Sequence, residues 1–565
     1  MWKLFSSVRK WIRNYIYFSK ATSCIRGLVL SHSYVKHAII SVLIMYITKE
    51  LWKPIEPNDS DSFQQAAVAI NVLNGISGIL VCVLAFITNT VGPFEVIAST
   101  NAAYLLGLVL LLRLSIHLDD DKGSHLGHAS DNYVFFGAGL LLALGEAGRS
   151  AGLSKFLDDQ YLSEADYKIK LPETSSAEEK EEEEDTKKRV ESRQTAMWNQ
   201  PWFIGAAALA PLALVIEPWP DRLLVSVVAL EVSYLLFWSG VFAYSRNVRN
   251  ESNDPAVEDA PRSTGLSQAF KSLSPSKETA PSWKFWLKPV SRKRYYKEML
   301  VMCLAFVVYS LVEATGSTFF FKQVSQLKGT NIGKLKIPPF YFSMLKSLSS
   351  FLISYLWKLL VPKQSKRSTL VKIGCGLVCS VLCMVAAWQV EIHKNRRTKI
   401  DPEISMSNLW LIPQFSLLGF TKGLAADGLV DFFADRVDAD GKRKAMYYGS
   451  CAGKLVLGIG TLLTAVSIVG FRKTLLVDDL NTNRLDKYYR GVVFIGVANL
   501  CYYFCVAVYF YRKQDDNAQV CCEPDGNEQS ETSFKNNKYH DQDVSLISVR
   551  ETPTKSSFNC CAIFF

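Results

Sequence analysis

The chain has 565 residues, of which 49% are hydrophobic and 21% charged, and a formal net charge of +10. Charge is packed into a few stretches, and apolar runs of about twenty residues lie between them, each matching the roughly 30 Å of hydrocarbon that a helix must cross. This patterning excludes a soluble enzyme, a secreted disulfide scaffold and a disordered chain, and the basic excess, clustered at span ends and in loops, is not a nucleic-acid signal.

Residues 1–26 carry Lys3, Arg9, Lys10, Arg13, Lys20 and Arg26 and no acid. They lack a signal-peptide core and read as a cytosolic, interfacial amphipathic segment. Spans are predicted near 27–48, 65–87, 95–116, 132–153, 202–217 and 222–244, and then near 299–320, 340–361, 370–390, 407–430, 446–469 and 491–511. In the first outer loop, Asn58-Asp59-Ser60 matches a glycosylation acceptor. After the third span, His117-Leu118-Asp119-Asp120-Asp121 with His125 and His128 holds groups that bind divalent ions, but nothing fixes their geometry. That loop reads as solvated, and no metal site is assigned. A polar stretch at 163–196, nearly all acid from Glu178 to Asp185, separates the fourth and fifth spans, and a second at 247–297 separates the sixth and seventh.

The expected architecture is an all-α polytopic membrane protein, with twelve transmembrane helices in two six-helix halves. Its parts are the N-terminal segment 1–26, a half at 27–244 containing the acidic linker, a central loop at 245–298, a second half at 299–511 and a disordered tail at 512–565. An even span number puts both termini on one side, and the basic N-terminus makes that side the cytosol. Lys363, Lys366 and Arg367 after the eighth span agree; Lys394, Arg396, Arg397 and Lys399 after the ninth run against the rule. The expected location is the plasma membrane or an endomembrane. Cys82, Cys303, Cys375, Cys379, Cys383, Cys501 and Cys505 lie in apolar runs as small hydrophobes. Cys521-Cys522 and Cys560-Cys561 in the tail are candidate palmitoylation positions, and the tail and acidic linker are candidate surfaces for cytosolic partners.

Two sets of six spans joined by a long hydrophilic loop is the layout of the major facilitator superfamily, whose halves rock about a site near the midplane. Several runs, in order, resemble the plant nitrate/peptide transporter family, the proton-dependent oligopeptide transporters. Trp410-Leu411-Ile412-Pro413-Gln414, Leu417-Leu418-Gly419 and Asp431-Phe432-Phe433 are similar to its tenth span, and Ser317-Thr318-Phe319-Phe320 with Lys322-Gln323 to the end of its seventh. Ile337-Pro338-Pro339, Ile373-Gly374-Cys375-Gly376 with Val390-Glu391-Ile392, Leu480-Asn481 with Arg484-Leu485-Asp486 and Tyr488-Tyr489, and Leu142 to Gly145 with Asp159-Gln160 resemble its eighth, ninth, twelfth and fourth. The chain also departs from the family. The first-span Glu-x-x-Glu-Arg, tied to proton coupling, falls on Val29-Leu30-Ser31-His32-Ser33, where none of its charges remains. The Asp-x-x-x-Gly-Arg loop reads Thr88-Asn89-Thr90-Val91-Gly92-Pro93, the fourth-span lysine falls on Ser150 beside Arg149, and a tenth-span acid falls on Lys422.

Ionisable residues inside spans are expensive and face the bundle interior or a wet path. Glu146, Arg149, Glu313, Lys422 and Asp427 are the candidate substrate-binding residues, and His32 and Lys36 the candidates for any remaining coupling. Internal ion pairing or snorkelling is the structural alternative; it is taken for Lys36 and Lys454 and left even for Lys422. Glu313 is expected to pair with Arg149 or Lys422 in one conformation, and Glu146 with Arg149 on one helix face. The pairs Gly148 and Gly152, Gly419 and Gly423, and Gly449 and Gly453 read as close helix contacts. No nucleophile–base pair, HExxH or phosphate loop is present, so neither an enzyme nor a cofactor is expected. The resemblance implies a secondary transporter of small hydrophilic solutes: nitrate, short peptides or amino-acid-like compounds such as nicotianamine-type metal chelators. The lost motifs leave open a non-transporting sensor or scaffold with the same fold.

Overall fold

In the computed structural model the described residues are 19–40, 43–51, 61–120, 129–169, 193, 197–209, 216, 219–244, 292–327, 331–332, 335–336, 340–361, 365–400, 406–436, 442–475 and 485–520. Among them eight helices are long and apolar enough to cross a membrane: Phe63–Thr90, Pro93–Leu118, Asp131–Tyr161, Trp219–Phe242, Leu300–Gln326, Lys366–Arg397, Ala445–Gly470 and Leu485–Arg512. They are the second, third, fourth, sixth, seventh, ninth, eleventh and twelfth spans of the predicted set. The other four are helical too. The first runs over Lys20–Ala38, Leu43–Tyr46 and a π segment, Ile47–Leu51; the fifth over 197–204 and a π segment, Gly205–Leu209. The tenth runs from Asn408 to Ala434 with a π segment at its centre, and the eighth, Phe340–Leu360, dilutes its apolar residues with serines.

Local chemistry sets the ends. The first span starts at Lys20, earlier than the predicted 27, because Ser19 caps it: the Ser19 hydroxyl accepts from the Thr22 backbone N–H at 3.1 Å and the Thr22 hydroxyl accepts from the Ser19 N–H at 3.2 Å. Helix continues past the fourth span to Ile169, inside the stretch expected to be linker. The seventh span breaks at Thr318 before resuming as Phe319–Gln326. Gly92, the residue kept from the family loop, has φ 125°, which its lack of a Cβ permits. One small exception to the all-helical expectation is an antiparallel ribbon pairing Asn331 with Lys336 and Ile332 with Leu335, between the seventh and eighth spans.

The sixth span shows why these helices belong in a bilayer. Leu223, Ser226, Val227, Leu230, Ser233 and Phe237 are buried, while Leu224, Val225, Val228, Val232, Leu235 and Leu236 cover the opposite face and are exposed. Glu231 is the one charged residue exposed between Leu224 and Leu236, where a helix in water would carry many. The predicted glycine pairs do pack closely, but within each half: a Cβ on Gly423 would lie 2.5 Å from the Ser350 carbonyl oxygen, and one on Gly449 2.7 Å from that of Val430. Between halves the closest approach is of the second span on the eleventh, where a Cβ on Gly78 would lie 2.7 Å from the Gly458 Cα.

Call the ends of the bundle after the first span's Lys20 and Leu51. At the Leu51 end, Phe63 meets Phe319 at 5.7 Å between ring centroids, and the Lys322 ammonium lies 5.0 Å from the Phe63 ring. At the Lys20 end, Asn89 donates to the Tyr448 hydroxyl at 3.3 Å and accepts from Lys155 at 2.6 Å. The halves therefore touch at both ends. The compact unit that contains both is Met1–Tyr511; the second unit, Arg512–Phe565, is described only over 512–520, as helix. The glycosylation match, residues 121–128 of the His/Asp loop, the core of the acidic linker, most of the central loop and the tail cysteines lie outside the described residues.

Candidate functional site

Between the halves lies a cluster of charges. On the N-terminal side it is built on Glu146. Arg149 grips this carboxylate with two donors: Nε to Oε2 at 3.0 Å and Nη2 to Oε1. The Lys36 ammonium donates to the same Oε1 at 2.6 Å. The Arg149 guanidinium also lies 4.7 Å from the centre of the Trp202 ring, and Lys36 5.8 Å from it. Trp202 is itself fixed: its carbonyl accepts from the Ser33 hydroxyl at 2.5 Å and its ring stands edge-on to His37. Arg149 is buried, yet 35% of the Lys36 side chain and 26% of that of Glu146 stay accessible, so the cluster borders open space.

The C-terminal side is built on Glu313. Its carboxylate accepts from the Lys346 ammonium at 2.8 Å and from the Tyr309 hydroxyl at 2.9 Å. In this conformation the partner of Glu313 is thus Lys346, and the expected pairing with Arg149 or Lys422 is not made. Lys346 sits on the next span of the same half, whereas Arg149 is already held by Glu146 a turn away. Lys422 makes no hydrogen bond or ion pair among the described residues; its charged neighbours are Glu313, Lys346, Lys36 and Asp427. Those neighbours lie on the first, seventh, eighth and tenth spans, so its exposed ammonium faces the interior and not the lipid. Asp427 accepts from the Ser354 hydroxyl at 2.8 Å. Lys454 in the eleventh span likewise makes no hydrogen bond or ion pair among the described residues, and it lies near Arg149, Glu146 and Lys36.

The backbone places these groups. Arg149 opens the π segment Arg149–Leu153 of the fourth span, and Lys422 opens the π segment Lys422–Ala426 of the tenth. The two spans hold the same ordinal place in their halves. A π turn shifts the helix register by one residue and recurs at functional sites.

Of the residues singled out from sequence, Lys36, Glu146, Arg149, Glu313, Lys422 and Asp427 thus come together, and Lys454 joins them. His32 lies behind them, within electrostatic reach of Arg149, Glu146 and Lys36, but its ring is buried against Asn101, with Nε2 2.5 Å from Oδ1, and against the Tyr104 ring at 4.8 Å. Sequence reasoning missed Lys346, although a lone lysine in an apolar run is the signal that found the others. It also missed Trp202, for which an isolated chain offers no signal. Two further pairs lie beyond these residues, the first adjoining Asp427. Lys372 donates to Asp431 at 2.8 Å; Glu391, fully buried, pairs with Lys394 at 2.5 Å and accepts from Gln323 at 2.8 Å. The second pair neutralises one of the bases that ran against the orientation rule.

Residues 223–451 match the model of the POT family, PTR2. Over 88% of the chain the sequence is 24% identical to Protein NRT1/PTR FAMILY 5.10 of Arabidopsis thaliana, covering 94% of that protein. This stretch resembles the POT family, and the similarity to the Arabidopsis protein runs over most of the chain. Protein NRT1/PTR FAMILY 5.9 of the same plant is 29% identical over a shorter stretch, 37% of this chain and 41% of that one. The fold matches the POT family transporter PepTSo with a TM-score of 0.58 at 13% identity, covering 89% of this chain and 99% of that one. A POT family transporter in complex with 5-aminolevulinic acid matches with a TM-score of 0.57 at 11% identity, covering 86% and 95%. The chain thus has the fold of these solved transporters, with eight helices among the described residues long and apolar enough to cross a membrane.

Proposed function

We propose that the protein is a secondary transporter that carries a small hydrophilic solute bearing an anionic group by alternating access between its halves. Nitrate, a short peptide, or an amino-acid-like compound such as a nicotianamine-type chelator are the classes that the family supports. The observation that carries this reading is the water-accessible charge cluster between the halves, to which each half contributes acids and bases. Arg149 and Lys422, at matching places in the two halves, are the residues assigned to the solute's anion. Glu146 and Glu313 hold the neighbouring bases in place and take the solute's amine where it has one. An anion that displaces a carboxylate from its base changes the contacts between helices, and such differential contact is what lets a ligand bias a two-state carrier.

The family's first-span proton relay is absent in this reading. Its positions hold Val29, His32 and Ser33, and His32 is sequestered against Asn101. Movement is then facilitative, or coupled through other residues such as Lys36 and Glu146. Both termini and the two long polar stretches are assigned to the cytosol on the positive-inside pattern. An untargeted uptake and efflux screen in proteoliposomes, with and without a pH gradient, tests the reading. Glu313→Gln is expected to impair movement while leaving the protein folded, and Arg149→Ala to weaken solute binding more than it alters pH dependence. Absence of any solute movement by well-folded protein would favour the sensor or scaffold reading instead.

A further inference from the structure

The charges of the central cluster do not balance. Lys36, Arg149, Lys346, Lys422 and Lys454 face Glu146, Glu313 and Asp427, an excess of two positive charges. The excess is localised. Glu146 is shared by Lys36 and Arg149, Glu313 is taken by Lys346, and Asp427 is bonded to Ser354. Lys422 and Lys454 are left with no hydrogen bond or ion pair among the described residues. Both lie within electrostatic reach of Lys36 of the other half and on neighbouring spans of one half; Lys454 also lies near Arg149 and Glu146, and Lys422 near Glu313 and Lys346. Two uncompensated ammonium groups in a protein interior are costly, and a single monovalent anion neutralises only one of them.

Resting on the transporter reading above, we propose that the cargo is a small organic dianion, with one carboxylate on Lys422 and the other on Lys454 and Arg149. A zwitterionic peptide supplies one carboxylate and adds an ammonium to a site already in excess of them, so it fits less well. Nitrate supplies one charge. A dicarboxylate supplies both, and only then can the halves close around a neutral load. The empty carrier has to reorient with both charges bare, so exchange of one dianion for another is faster than net uptake.

The test uses the full chain, purified in detergent and reconstituted in liposomes. The probes are a series of linear dicarboxylates from three to six carbons, the monocarboxylate of each length, nitrate and dialanine. Thermal unfolding with each probe reports binding, and counterflow of labelled dicarboxylate reports exchange. At least one dicarboxylate is expected to bind ten-fold or more tightly than its monocarboxylate, nitrate and dialanine. Lys422→Gln and Lys454→Gln are each expected to bring that ratio close to one, while Lys422→Arg and Lys454→Arg, which keep the charge, retain it and control for misfolding. Nitrate or dialanine binding as tightly as every dicarboxylate overturns the proposal, as does a divalent preference that survives both glutamine variants. Movement of other solutes without competition by dicarboxylates leaves transport standing and removes the dianion. Tight, lysine-dependent dicarboxylate binding without movement does the reverse.

Discussion

Gly78→Ala tests whether the contact between the second and eleventh spans is a moving interface. The added methyl would lie 2.7 Å from the Gly458 Cα and 2.8 Å from the Lys454 carbonyl oxygen. Carbon atoms rest at about 3.5–4.0 Å, so the helices must separate by roughly 1 Å. Both partners are backbone, and no side chain can rotate away. Overpacking of this kind costs about 1–3 kcal/mol, whereas the gained helix propensity, about 0.5–1 kcal/mol, is common to all folded conformers and cancels between them. The clash falls only on conformers that keep the two glycines in contact, and it corresponds to a shift of about 5- to 160-fold in their population. Spin labels at Val91 and Met446, exposed positions at the Lys20 end of the two spans, report the separation in a cysteine-depleted background. The expected result is a distance distribution displaced toward longer values. Gly137→Ala is the control, since nothing lies within 4 Å of its added methyl; it is expected to leave the distances unchanged and to stabilise slightly. An unchanged distribution in Gly78→Ala, or the same displacement in both variants, would refute the reasoning. Because the clash includes the Lys454 carbonyl, the variant is also expected to weaken binding that depends on Lys454.

Glu391→Gln leaves the Lys394 ammonium without its carboxylate, and removal of one partner of a buried pair costs up to about 3–5 kcal/mol. The expected outcome is a markedly lower unfolding temperature, and a loss no greater than that of an exposed-site control such as Arg367→Gln would count against it. Phe63→Ala removes the aromatic contact with Phe319 and the cation–π contact with Lys322, about 0.5–1.5 and 0.5–2 kcal/mol respectively, from the Leu51 end. Faster labelling of a cysteine placed at Leu327 is expected; an unaltered rate would show that the contact does not hold that end closed. Replacing Glu146 and Arg149 together by glutamine removes the salt bridge without changing the net charge. Solute movement is expected to fall at least ten-fold, whereas wild-type movement would make the fourth-span pair purely structural.

Much of the fold was legible from the chain. Twelve apolar runs and two polar interruptions follow from the need of each helix to meet lipid on one side and its neighbours on the other, and both faces of the sixth span read as apolar for that reason. Most predicted spans lie inside the observed helices, which run longer because caps and polar turns such as Ser19 carry helix past the apolar run. Individual charges within spans were legible too, since each breaks an apolar run, and six of the seven site residues singled out fall in one place.

Their partners were not legible. Glu146 and Arg149 could be paired on paper because helical spacing fixes an i,i+3 neighbour. Whether Glu313 meets Arg149, Lys422 or Lys346 depends on helix rotation and on which spans adjoin, and tertiary packing settled it for Lys346. The same packing seated His32 against Asn101 behind the charges, brought Trp202 beneath Arg149, and set Gly78 against Gly458. The sequence by itself determined that the chain crosses a membrane and which side chains are too costly to leave in lipid, because hydropathy and charge are properties of single residues. Only the tertiary structure decided which of those charges neutralise one another and left Lys422 and Lys454 without partners among the described residues, because pairing is a property of distances between helices that lie far apart along the chain.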